Sequence, residues 1–214
     1  MIIKHILYPV LRTGVVAGLL LACLVANTQA REHRILVLGD SISAAYGMSL
    51  TQGWVTLLAQ HLADADPAVE VINASISGET SDGGLRRLPA LLEQHQPGIV
   101  IIELGANDGM RGFPLPRLRD NLTAMATLSR NAGASVILVS MEIPPNYGAR
   151  YTAGFRESFS EVATDTGSTL APFLLDGVAL DPELMQDDGI HPDVAAQPIL
   201  LQNILPTIES VMAD

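Results

Sequence analysis

Four short stretches of this 214-residue chain hold side chains that could carry out chemistry. The first is Gly39-Asp40-Ser41-Ile42-Ser43, placed where the apolar run Ile35-Leu36-Val37-Leu38 stops. A β-branched and leucine-rich run ending in glycine reads as a buried strand of a parallel sheet. Ligands in open α/β sheets collect at the carboxyl ends of such strands, so Ser41 stands where a hydroxyl nucleophile could be presented. Alone, the stretch also has a plainer reading, with Asp40 or Ser41 capping the next helix. The second stretch is Ser77-Gly78-Glu79, whose glycine either lets a backbone N–H approach a ligand or makes an ordinary turn. The third, Gly105-Ala106-Asn107-Asp108-Gly109, offers an Asn amide that could donate toward an oxyanion or close an Asx-turn. The fourth is Asp188-Gly189-Ile190-His191-Pro192. An Asp three residues before a His can fold back to accept from the imidazole Nδ1–H, fixing the tautomer and leaving Nε2 as a base. The same residues could instead only shape the start of the last helix, with Pro192 in its first turn.

The remaining histidines are weaker bases on position alone. His33 lies near the chain's beginning, His61 falls inside a helical pattern, and His95 sits at a helix end where its charge suits the dipole. A single His beside Asp187 and Asp188 is too small a cluster for a metal, so no metal and no other cofactor are expected.

Residues 1–30 stand apart from the rest. A weakly basic start (Lys4, His5, Arg12), the apolar run 14–22 and the small-residue end Asn27-Thr28-Gln29-Ala30 read as a secretory signal peptide. Its apolar part is short for a membrane span. A lipoprotein box ending at Cys23, which would anchor the chain through lipid, is the second reading, and an uncleaved anchor the third. Cleavage would leave 31–214 as one domain without lysine or cysteine, because Lys4 and Cys23 are the only ones. That excludes a thiol nucleophile, a thiolate metal site, a disulfide framework, a Schiff-base lysine and a Ser-Lys pair. Ten Arg against twenty-three Asp and Glu give the mature chain a charge of −13, which argues against nucleic acid and anionic membranes as partners.

These residues need a frame to hold them. Apolar strand-like runs at 35–38, 69–73, 99–104, 135–141 and 169–171 alternate with helical patterns at 54–62, about 85–95, 116–131, 152–165 and 195–212. Such alternation predicts an α/β chain: a five-stranded parallel sheet in a three-layer α/β/α sandwich, with the most apolar strand, 99–104, at its centre.

Taken in order, Gly39-Asp40-Ser41, Gly78, Gly105-Ala106-Asn107-Asp108 and Asp188-Gly189-Ile190-His191 resemble the four blocks of the SGNH (GDSL-type) hydrolases. The resemblance covers about 34–208. The stretches 73–78, 87–92 and 186–192 are similar to the periplasmic branch with acyl-CoA thioesterase, arylesterase and lysophospholipase activities in Gram-negative bacteria. The G-x-S-x-G elbow of the α/β-hydrolases is absent. Ala106 departs from the second glycine common in this branch by one methyl group.

The resemblance implies a flavodoxin-like SGNH hydrolase fold and a serine hydrolase of carboxylic esters and thioesters. Ser41 would attack, His191 take the proton and Asp188 orient His191. Ser41 N–H, Gly78 N–H and the Asn107 amide would form the oxyanion hole, with Asp40 as a structural hydrogen-bonding residue. It also implies an apolar acyl groove beside Met110 and Phe113 in the loop after Asn107, and Ile143 and Tyr147 further on. A periplasmic or secreted monomer acting on small acyl substrates, with no stable membrane insertion once the leader is removed, completes the expectation. Two alternatives stand beside it. A carbohydrate O-acetyl esterase uses the same blocks with a small acyl pocket. A non-catalytic flavodoxin-like binding module would use Gly39 to Ser43 as a phosphate cradle.

Overall fold

The computed structural model describes residues 34–213. The expected leader at 1–30, Cys23 and His33 lie outside the described residues.

Five strands form one parallel sheet: β1 (Arg34–Gly39), β2 (Glu70–Asn73), β3 (Ile99–Glu103), β4 (Ser135–Val139) and β5 (Thr169–Ala171). Their order is β2-β1-β3-β4-β5, so the most apolar strand is central. In β1 and β3 nearly every residue is buried, because helices cover both faces and leave no polar side. Alternate residues serve opposite layers. Leu36, Leu38, Val100 and Ile102 pack with Leu88, Leu118, Leu122, Phe155 and Phe159 from α2 (Ser81–His95), α4 (Leu115–Asn131) and α5 (Ala149–Thr166). Ile35, Val37, Ile99 and Ile101 pack with Trp54, Leu58, Leu62, Leu200 and Ile204 from α1 (Trp54–Ala65) and α6 (Gln197–Ala213). Each such fully buried side chain stabilises the fold by roughly 1.5–3 kcal/mol. The result is the three-layer sandwich that strand–helix alternation predicts.

Two elements differ from the sequence reading. The segment after β3, expected as a loop, begins with the short helix α3 (Ala106–Met110). Gly109 permits it, since a β-carbon there would sit 2.7 Å from Phe155 and 2.8 Å from Ile143. The last helix starts at Gln197 rather than 195, because Asp193 caps the preceding turn by accepting from the Ala196 N–H at 3.1 Å.

This topology fixes where chemistry can occur. The chain leaves β1 toward β2 on one side and returns as β3 on the other. The loops after β1 and β3 therefore diverge at their carboxyl ends and open a crevice between them.

Candidate active site

Ser41 follows β1 at that crevice, and its Oγ lies 2.8 Å from His191 Nε2. His191 Nδ1 lies 2.6 Å from Asp188 Oδ2. Asp188 Oδ1 accepts from the backbone N–H groups of Ile190 at 2.9 Å and His191 at 3.0 Å. The Asp-to-His spacing of three closes this turn, so the carboxylate faces the ring rather than a helix end. These donors, led by the imidazole, hold Asp188 down at about 2. Accepting from Nδ1–H, the carboxylate leaves Nε2 free to take the Ser41 proton. The tyrosine ring of Tyr46 covers His191, centroid to centroid 4.3 Å.

Among the described residues, two backbone N–H groups in the loops after β1 and β2, those of Ser41 and Gly78, stand without a protein acceptor. The Gly78 carbonyl accepts from Arg111 Nη2 at 3.1 Å, which ties the loop after β2 to the segment after β3. Asn107 sits in the first turn of α3, and one of its amide hydrogens goes to Asp40 Oδ2 at 3.2 Å. The second hydrogen has no acceptor among the described residues. Its neighbour Asp108 is buried and accepts from Ser81 N–H at 2.8 Å and Ser81 Oγ at 2.5 Å, at the first turn of α2. Asn121 Nδ2 in turn donates to Ser81 Oγ at 2.9 Å.

Sequence reasoning missed the group beneath Ser41. Glu103 ends β3 with no exposed surface, and its Oε2 accepts from Asp40 N–H at 3.2 Å and Ser43 Oγ at 2.7 Å. Burial, then the neighbouring Asp40 charge, push its carboxyl well above the usual range. Burial also lifts Asp40 to about 6, despite donors at Ile42 N–H and Asn107. A charged residue closing a run of four β-branched residues was the signal available for Glu103. This pair answers the phosphate-cradle alternative. The Asp40 N–H is already spent on a carboxyl group, and a second carboxyl stands beside it.

A groove of about 1050 Å³ opens from Ser41. Ile42, Ala106, Met110, Met141, Ile143 and Leu174 are among its apolar walls, and fully exposed Leu180 stands at its edge. Of the four residues expected to border it, Met110 and Ile143 do so. Phe113 and Tyr147 lie elsewhere. The Phe113 ring packs under Arg117, and Tyr147 lines a separate surface depression while its hydroxyl donates to the Met110 carbonyl at 2.8 Å. The other described histidines are remote from the crevice: His61 pairs with Glu209 at 3.2 Å, and the His95 carbonyl accepts from Arg34 at 2.8 Å. Among the described residues no group of three His, Cys, Asp or Glu could hold a metal ion.

Residues 37–197 match the model of the GDSL-like Lipase/Acylhydrolase family. The chain belongs to that family. It is 49% identical over 192 residues to esterase TesA of Pseudomonas aeruginosa, covering 90% of this chain and 96% of that protein. Identity is 43% over 171 residues to thioesterase 1/protease 1/lysophospholipase L1 of Escherichia coli K12, covering 80% of this chain and 81% of that one. The crystal structure of the psychrotrophic esterase EstA from Pseudoalteromonas sp., inhibited by monoethylphosphonate, superposes with a TM-score of 0.80 at 46% identity. That match covers 85% of this chain and all of the other. As a GDSL-like acylhydrolase the chain is an ester-bond hydrolase with an α/β fold, which sets the binding-module alternative aside. No helix of the described residues is long and apolar enough to cross a membrane.

Proposed function

We propose that this acylhydrolase is a serine esterase and thioesterase acting through an acyl-enzyme on Ser41. The observation that carries the reading is the hydrogen-bonded series Ser41 Oγ, His191, Asp188 at the foot of an apolar groove. Ser41 Oγ attacks the carbonyl carbon while His191 Nε2 takes its proton, and Asp188 holds the resulting imidazolium. The tetrahedral oxyanion accepts from Ser41 N–H, Gly78 N–H and the free Asn107 amide hydrogen. Each such donor is worth roughly 2.7–4 kcal/mol in the transition state. Collapse breaks the C–O or C–S bond, and His191 returns the proton to the departing alcohol or thiol. Water, deprotonated by His191, then attacks the Ser41 ester; collapse releases the acid and restores the hydroxyl.

The groove supports medium to long acyl chains, with Met110 and Ile143 along the acyl path. The thioesterase and lysophospholipase in the name of the Escherichia coli relative are the grounds for including thioesters and lysophospholipids among the substrates. Removal of residues 1–30 would give a single-domain, monomeric enzyme of the periplasm or an extracellular space, with no affinity for nucleic acid at a charge of −13. Lipid attachment at Cys23 is the other outcome of export.

The test is hydrolysis of p-nitrophenyl esters of graded length, palmitoyl-CoA and lysophosphatidylcholine by 31–214, beside Ser41→Ala. Rates that vanish in Ser41→Ala, with an optimum beyond four carbons, fit the proposal. An acetyl-only profile would select the carbohydrate O-acetyl esterase, and equal rates in both proteins would overturn the serine mechanism.

A further inference from the structure

We propose that Gln186 is the positioning residue that sets His191 against Ser41. The inference rests on the serine-hydrolase reading above.

The segment 184–193 contains no helix or strand. It closes on itself through the Met185–Pro192 bridge, Gln186 N–H to the His191 carbonyl at 2.8 Å, and Asp193 N–H to the Leu184 carbonyl at 2.8 Å. Those bonds shape the segment but leave open where it rests on the sheet. Among the described residues, three hydrogen-bond or ring contacts cross from it to 40–48: His191 with Ser41, the Tyr46 ring on His191, and the Gln186 amide. The first is the reacting pair, whose proton moves during catalysis. The second follows only once the segment is seated. Gln186 is the fixed tie.

Its geometry suits that role. Nε2 donates one hydrogen to the Tyr46 carbonyl at 2.8 Å and the other to the Pro192 carbonyl at 2.9 Å. One amide group thus joins the residue after His191 to the loop that carries Ser41. On the opposite side Oε1 rests against Gly47, where a β-carbon would collide with it and φ is +76°. Glycine at that position leaves the room the amide needs. Both contacted groups are carbonyls, so the position calls for two donors on a neutral planar group, which Gln supplies. Glu in the same shape presents only acceptors. Gln186 is not among the residues of the acyl groove, so its role concerns reaction geometry rather than substrate affinity.

The experiment compares wild type with Gln186→Met, which keeps the length and removes both donors, on p-nitrophenyl butyrate. Displacements near 1 Å at a reacting pair cost about a hundredfold. The expected result is a fall in kcat of roughly 10- to 100-fold with KM changed less than twofold. In a His191→Ala background the same substitution should change the residual rate less than twofold, because nothing remains to be positioned. Gln186→Glu should behave as Gln186→Met does, and it carries the comparison if the Met variant does not fold. An unchanged kcat, a loss confined to KM, or an equal loss in the His191→Ala background would overturn the proposal. Failure of the serine-hydrolase reading is separate: it would appear as undiminished rates in Ser41→Ala itself.

Discussion

The two loops that meet at the crevice are built by opposite means. The loop after β1 is sunk into the sheet: Asp40 and Ser43 are each 1% exposed and hang from Glu103, Asn73 donates to the Ser43 carbonyl at 2.7 Å, and Asn107 reaches across from α3. The segment with Asp188 and His191 lies on the surface, with the Asp188 side chain 38% exposed, and is held by short hydrogen bonds near water. Burial makes the first loop stiff, because every unpaired polar group there would be left without water. The second loop can break a bond and find a solvent partner instead. Substitutions in the first region should therefore damage the fold along with the activity, and those in the second should damage activity alone.

The largest effect belongs to the exposed side. His191→Ala should lower kcat by about 10⁴-fold or more, with the thermal midpoint moved by no more than a few degrees. Parallel melting curves and ester assays check both halves, and a midpoint that collapses with the activity would break the comparison. Asp188→Asn should follow, with a loss of about 10²–10⁴ in kcat, since the amide can hold the ring in the wrong tautomer.

On the buried side, Glu103→Leu strips acceptors from the Asp40 N–H and the Ser43 hydroxyl. A loss of about 2–4 kcal/mol of stability is expected by urea unfolding. Glu103→Gln, neutral and of the same shape, keeps an oxygen acceptor and should unfold close to the wild type, and an equal loss in both variants would contradict the part given to that acceptor. The pH dependence sharpens this point. Asp40 is lifted from 3.8 to about 6 by burial, so the folded state binds the proton more tightly than the unfolded one. Stability should accordingly rise as pH falls from about 6 toward 4, and this gain should shrink in Asp40→Asn. Asp188, held at about 2, acts in the opposite sense only below its ordinary range, and its exposure keeps that contribution small. The smallest effect is expected at Tyr46→Ala, which lies on the exposed rim of the first loop, outside its buried part, and uncovers one face of His191. A several-fold loss in kcat, read beside an unchanged melting curve, would fit a packing contact of about 1 kcal/mol.

Much of this was legible in the sequence because the frame is written in uninterrupted apolar runs. Ile99 to Ile102 can only be a strand buried on both faces, and the residues just past such strands inherit their position from it. The spacing of Asp188 and His191 likewise gave their contact, since a three-residue turn is local. What escaped was long-range or sterically enforced. Glu103 meets Asp40 across 63 residues, and Gln186 meets Tyr46 across 140, pairings that no periodicity encodes. Phe113 and Tyr147 were expected at the groove from the family resemblance, yet the first packs under Arg117 and the second donates its hydroxyl hydrogen to the Met110 carbonyl. The helix itself was hidden in a glycine-containing stretch whose local preference is irregular, and the close approach of Phe155 and Ile143 makes small residues necessary there.

Ser41, Gly78 and Asn107 follow β1, β2 and β3, and Asp188 and His191 stand at 188–191 late in the segment after β5, whereas much of the apolar wall comes from 141–143, after β4, and from 173–180, early in the segment after β5, including Met141, Ile143, Leu174 and Leu180. The two sets of residues thereby occupy separate stretches of the chain. Grafting a different 141–148 or 173–182 segment onto this frame would exchange the acyl specificity while leaving the bond-breaking apparatus untouched, so diversification among related enzymes has a ready route in which the reaction is kept and only its clientele changes.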